Sequence, residues 1–171
     1  MEEVRKERRK LLIENAATVT EPVIKPDKFS SWQRLKRVVA YVFRFCKNIR
    51  RKSDPKQQFL GPLKMEKIQA AEDHLVKQEQ STLHQQMEKG NFKTLTAFVD
   101  NKGIIHVGGR VDPALVPYNI AHPALLPHKH RISVLIAEDE HRRGHVSVAA
   151  TVAKTRTKYW IIRMHSIAKA I

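Results

Sequence analysis

The sequence predicts a mainly α fold with one small β hairpin. Apolar residues recur at helical spacing through 30–51 and again through 62–90. Two short β-prone runs near 95–110 flank a turn-forming tetrapeptide. The composition adds a strong charge bias. The 171 residues hold 32 Lys and Arg against 17 Asp and Glu, a net charge of +15. Such a field favours polyanionic partners, nucleic acid first.

Residues 1–15 mix both charge signs and then reach Leu11, Leu12 and Ile13, which suits a short helix with a solvated face. The stretch TVTEPVIKPDKFS holds two prolines and reads as an extended linker. The first 27 residues are therefore expected to pack poorly. Ser30 with Gln33 spells a capping box at a helix start. Trp32, Leu35, Val38, Val39, Val42, Phe43, Cys46 and Ile49 then share one face, and Arg34, Arg37, Arg44, Lys47 and Arg51 take the other. Cys46, among Phe43, Phe45 and Ile49, is expected to be a small core residue. As the single cysteine it excludes an intrachain disulfide. RRKSDPKQQ brings Ser, Asp and Pro to end this helix.

Gly61 and Pro62 open a second helical run that Gly90 should stop. Its narrow apolar stripe is Leu63, Ile68, Ala71, Leu75, Leu83 and Met87. His74 and His84 lie ten apart on it and read as solvated. Asp100-Asn101-Lys102-Gly103 is the hairpin turn, and Gly108-Gly109 permits a bulge or tight turn. Prolines at 113, 117, 123 and 127 dictate an extended path. Ile132, Leu135 and Ile136 begin another amphipathic helix, Ser147 can cap a further one, and a third begins near Arg163.

His141 and His145, in HRRGH, have the i, i+4 spacing that can bring two imidazoles to one side of a helical turn. The zinc-protease pattern needs a glutamate where Arg142 stands. Glu138, Asp139 and Glu140 are consecutive, so on a helix they diverge by about 100° each and cannot converge on one metal. No nucleophile, base and orienting group assemble in the sequence, and the chain is not expected to be an enzyme. The longest apolar run near the middle, Val38 to Phe43, is far short of the roughly 20 residues that span a bilayer, and MEEVRKERRK lacks the apolar core of a signal peptide.

Five blocks in order carry a family resemblance from about Lys28 to Ile171: KFSSWQRLKRVVAYVFRF, AAEDHLVKQEQ, FVDNKGIIHVGGRVDPAL, HPALLPHKHRISVLI and HRRGHVSVAATVAKTRTKYWIIRMHSIAKAI. Together they resemble the segment of BEL/Pao-type LTR retrotransposon polyproteins that joins the reverse transcriptase and RNase H region to the integrase. The last block resembles the integrase zinc-binding (HHCC) domain. The resemblance implies a partial three-helix zinc-binding domain at 128–171. It follows a charged extension at 1–29, a connector of two amphipathic helices at 30–92, and a hairpin with a Pro-rich segment at 93–127. It makes His141 and His145 the counterparts of the histidine ligands. The Cys-x-x-Cys pair that completes the family's site would fall beyond Ile171, so the chain reads as truncated, with zinc held weakly or not at all. Ser147 and Thr155 depart from the family's usual glycine and apolar residue.

The expected role is that of a non-catalytic, retrotransposon-derived fragment that associates with DNA, in an integration context. Arg142, Arg143, Lys154, Arg156, Lys158 and Arg163 would neutralise phosphates. The alternative is a protein-interaction or structural segment, binding other polyprotein segments or itself, or a truncated product without independent activity. The expected location is intracellular, nuclear or cytoplasmic, without a membrane partner.

Overall fold

Residues 24–50, 61–108, 116–144 and 147–171 are described by a computed structural model. It is mainly helical, with a four-stranded sheet in the order β1-β2-β3-β4. Helix α1 spans Trp32–Arg50. Its first turn is capped one residue later than the sequence suggests, by Ser31, whose Oγ accepts from Arg34 N–H at 3.4 Å. Gln33 instead donates to Asp139, 106 positions away. Trp32, Leu35, Val39 and Ala40 enter the core. Cys46 does not: it is exposed, as are Phe45 and Ile49. The helical period runs on past Phe43, which still packs on the core, so the end of the apolar stripe at Cys46 and Ile49 stays exposed.

The expected 62–90 helix is two helices, α2 at Met65–Glu79 and α3 at Ser81–Glu88. Gln80 separates them. It is fully buried, and its carboxamide leaves the helix direction for the sheet. Nε2 donates to the carbonyls of Ile105 and Leu125 at 2.8 and 2.7 Å, and Oε1 accepts from Ile105 N–H at 2.8 Å. Gly90 ends α3 as expected. It has φ +79°, its N–H reaches Met87 O, and Asn91 N–H reaches Gln86 O, the paired bonds of a Schellman stop.

The hairpin forms where expected, with β1 at Phe98–Val99 and β2 at Ile105–His106. Asp100 holds its turn by accepting from Lys102 and Ile104 N–H, and Gly103 supplies the φ of +77° that the reversal needs. Gly108 packs against Thr96 so closely that a Cβ would stand 2.3 Å from its Oγ1; Gly109 lies outside the described residues.

The Pro-rich stretch is not simply extended. Tyr118–Ala121 forms a short helix, α4, and Ala124–Leu126 forms β3 between two prolines. Strand β3 pairs antiparallel with β2 and in parallel with β4, at Tyr159–Ile161. Its crossover to β4 carries α5, Arg131–Arg142, and α6, Val148–Arg156, as a parallel pair requires. Ser147 caps α6 by accepting from Ala150 N–H. Helix α7, Met164–Ala168, follows.

Alternation along β3 and β4 splits the interior in two. Ala124, Leu126, Tyr159 and Ile161 face a large core with α1, α2, α5 and α7. Leu125, with Ile105, Val107 and Leu83, forms a smaller core on the other face, against which Trp160 and Ile162 pack. This larger core draws on the connector, the Pro-rich segment and the C-terminal region alike. Ile24 and Phe29 pack on it too, and Arg131 donates to Phe29 O at 2.6 Å. Of the 27 residues expected to pack poorly, the last four are thus tied to the core through Ile24 and one 3₁₀ turn at Pro26–Lys28; residues 1–23, with the short helix expected within 1–15, lie outside the described residues.

His130 forms an ion pair with buried Glu79, and this contact, then the charges of Glu79 and Asp27, raises its pKa against the effect of burial. The ion pair's contribution is complete below the unfolded imidazole value of about 6.5 and disappears as pH rises through the higher folded value. Stability should therefore fall as pH rises above about 6.5, by no more than about 1 kcal/mol, since His130 is half exposed. Urea midpoints measured across pH should show this slope in the native chain and not in His130→Gln. A second expectation concerns Gln80. Replacing it with Leu strands three buried backbone groups and should cost about 3 kcal/mol in urea unfolding.

Candidate functional site

Helix α5 places His141 and the arginines after it. Residues 145 and 146 lie outside the described residues, and so does the predicted ligand His145. His141 is half-buried, with Nδ1 3.3 Å from Thr151 Oγ1 on α6. Thr151 in turn donates to Ser147 O, and buried Thr155 donates to Thr151 O. These i−4 bonds satisfy the hydroxyls and explain how Thr155 occupies an apolar position. Among the described residues, no group of three or more His, Cys, Asp or Glu side chains is arranged to hold a metal. A structural zinc takes four N or S ligands, and of the predicted pair His141 alone lies within the described residues.

The six predicted phosphate contacts divide into two sets. Arg142 pairs with Glu138 at 2.8 Å and also donates to Ser30 O. Arg143 spans Asp139 and Glu140, at 2.9 and 3.1 Å. The three consecutive carboxylates therefore neutralise the two arginines a turn later, along their own helix. Lys158 is tied to Glu72. Lys154, Arg156 and Arg163 are exposed and pair with no carboxylate among the described residues. Arg156 lies 4.9 Å above the Trp160 ring, a cation–π contact that holds it on the sheet side of α6.

Glu72 is the most heavily committed ionisable group. It is 3% exposed and meets Lys36 of α1 at 3.0 Å, together with Lys158 and the Tyr159 hydroxyl. Burial acts to raise its pKa. Hydrogen bonds from Lys158 and Tyr159, with the charges of Lys36 and Lys158, outweigh that and hold the carboxyl below its usual range. Burial, then the Glu72 charge, drives the Tyr159 phenol well above its ordinary value. Trp32 meets Tyr159 edge-on at 6.5 Å and carries Lys36 over its face.

A second cluster lies by the hairpin. His106 stacks on Phe98, with Tyr118 and His122 edge-on or tilted around it. Its Nδ1 donates to His122 O at 2.7 Å, and Nε2 lies 3.2 Å from Asp100. An open cleft of about 590 Å³ runs past these residues between α2 and α4. Its acids are already engaged. Asp73 accepts from Lys102 and Gln69, and Asp100 accepts two backbone N–H groups. Burial raises the Asp100 pKa, but those N–H groups and His106 bring it below the usual value. This arrangement braces a turn.

Neither cluster was singled out by the sequence reading, yet Glu72 left a signal. It falls on the buried stripe between Ile68 and Leu75, where an acid must find a cation. No family model, characterised protein or solved structure matches the chain. No described helix is long and apolar enough to cross a membrane.

Glu72→Gln keeps the shape and removes the charge, leaving Lys36 buried without a counter-ion. It should cost about 3 kcal/mol or more, read as a lowered urea midpoint, while Asp73→Asn at the cleft rim should cost under about 1 kcal/mol.

Proposed function

We propose that the chain is a non-catalytic, retrotransposon-derived segment that associates with DNA through its C-terminal region, which resembles a partial integrase zinc-binding domain. The observation that carries the reading is the exposed set Lys154, Arg156 and Arg163 around α6 and β4, which pair with no carboxylate among the described residues, in a chain of net charge +15. Cations fixed on packed elements neutralise phosphates and release counterions without first being ordered. Arg156 is held by Trp160 for this purpose. Arg142 and Arg143 contribute less, because their carboxylate partners travel with them on α5. His141 supports the descent from a zinc-binding domain, and no step of DNA binding is routed through a metal.

Binding read this way is weakly sequence-specific and steep in salt. A duplex gel shift repeated between about 50 and 200 mM salt should give a log–log slope near −3, from three phosphate contacts. Lys154→Gln, Arg156→Gln and Arg163→Gln together should flatten it, whereas Arg142→Gln with Arg143→Gln should change it little. A salt-independent affinity, or none at low salt, removes the reading.

A further inference from the structure

Helix α1 presents a second surface, exposed among the described residues. Its 19 residues include six cations and no Asp or Glu. Trp32, Leu35 and Val39 hold one side in the core. On the opposite side, Arg34, Arg37, Tyr41, Phe45 and Ile49 follow one another at spacings of three or four, with Arg44 one turn after Tyr41 at their edge. Tyr41, Phe45 and Ile49 are 48%, 64% and 49% exposed, large apolar side chains on the solvent side of a helix. Arg34, Arg37 and flanking Lys47 are exposed and pair with no carboxylate among the described residues. Arg44 is fixed instead: its guanidinium lies 4.7 Å over the Tyr41 ring and donates to Gly61 O.

We infer that this face of α1 is a contact surface for single-stranded nucleic acid. The inference rests on the nucleic-acid reading above and adds a second, structurally separate site to it. The face alternates cations with flat rings, and its ligand has to alternate anions with flat apolar units. Phosphates and unpaired bases do so, while a duplex hides its bases inside the stack. Phosphates meet Arg34, Arg37 and Lys47, a base stacks on Phe45, and Tyr41 is backed by Arg44. A lipid surface fits less well. An interfacial helix sinks a continuous apolar face and keeps its cations on the opposite one, which in α1 is the protein core. Two copies of α1 would bring like charges together.

The test uses the full chain and three probes: a fluorescent oligothymidine of roughly 20 nucleotides, a duplex of equal length, and phosphatidylserine–phosphatidylcholine vesicles. Phe45→Ala should weaken the single strand about tenfold and leave the duplex unchanged. Arg34→Gln with Arg37→Gln should reduce the single-strand salt slope by about 1–2. Phe45 and both arginines are exposed, so unchanged urea midpoints certify the fold. Unaltered single-strand binding in both variants overturns the inference, as does vesicle binding that Phe45→Ala abolishes while the oligonucleotide is ignored. If the duplex still binds and loses affinity in the Lys154, Arg156 and Arg163 variant, the wider reading survives that failure. Absence of all nucleic-acid binding at low salt removes both.

Discussion

A carboxylate taken out of water has to recover in the interior what it loses in hydration, and Glu72 does so where α1, α2 and β4 meet. Lys36 reaches it from α1, while Lys158 and Tyr159 reach it from the start of β4. None of these partners can be satisfied unless the helices and the sheet sit in one relative position. A purely apolar contact would tolerate sliding, whereas a charge with three directed donors does not. Gln80 does the same about two turns further on, for the opposite face. A helix side chain bridges β2 and β3 beyond their one-residue register pairing. The two helices that meet at Gln80 thus set both the orientation of the sheet and its integrity.

The parts of the fold legible in the sequence are those set by local rules. The hairpin turn, the Gly90 stop, the Ser147 cap and the amphipathic character of α1 and α5 follow from neighbouring residues, and they are found. What was not legible depends on distant partners. Strand β3 is three residues long and lies between prolines, so nothing local marks it; its pairing with β2 and, in parallel, with β4 makes it a strand. The interruption at Gln80 is likewise invisible until the sheet is present. Cys46 shows the converse. Periodicity says which face of a helix is apolar, but not how far the core beneath it extends. At the candidate site, composition located the cations but could not say which were already paired. Glu138, Asp139 and Glu140 quench Arg142 and Arg143, and Glu72 engages Lys158.

Net charge alone therefore describes this molecule poorly. The buried and paired cations hold the structure together. Among the exposed cations that pair with no described carboxylate, two sets are clustered, Lys154, Arg156 and Arg163 near the sheet and Arg34, Arg37 and Lys47 along α1. Each set includes or adjoins an aromatic residue with an exposed or cation-stacked ring, Trp160 in one case and Tyr41 and Phe45 in the other.

The long reach of Glu72 also bears on the order in which the chain acquires its structure. Lys36 is 36 positions before it, whereas Tyr159 is 87 positions after it. A chain emerging from the ribosome can join α1 to α2 and close the β1–β2 hairpin early, since these are short-range events. Until β4 arrives, Glu72 has only part of its coordination and β3 has an open edge. The nascent protein therefore passes through a stage in which its central charge and its sheet edge are both exposed to other chains, and addition of β4 closes both together.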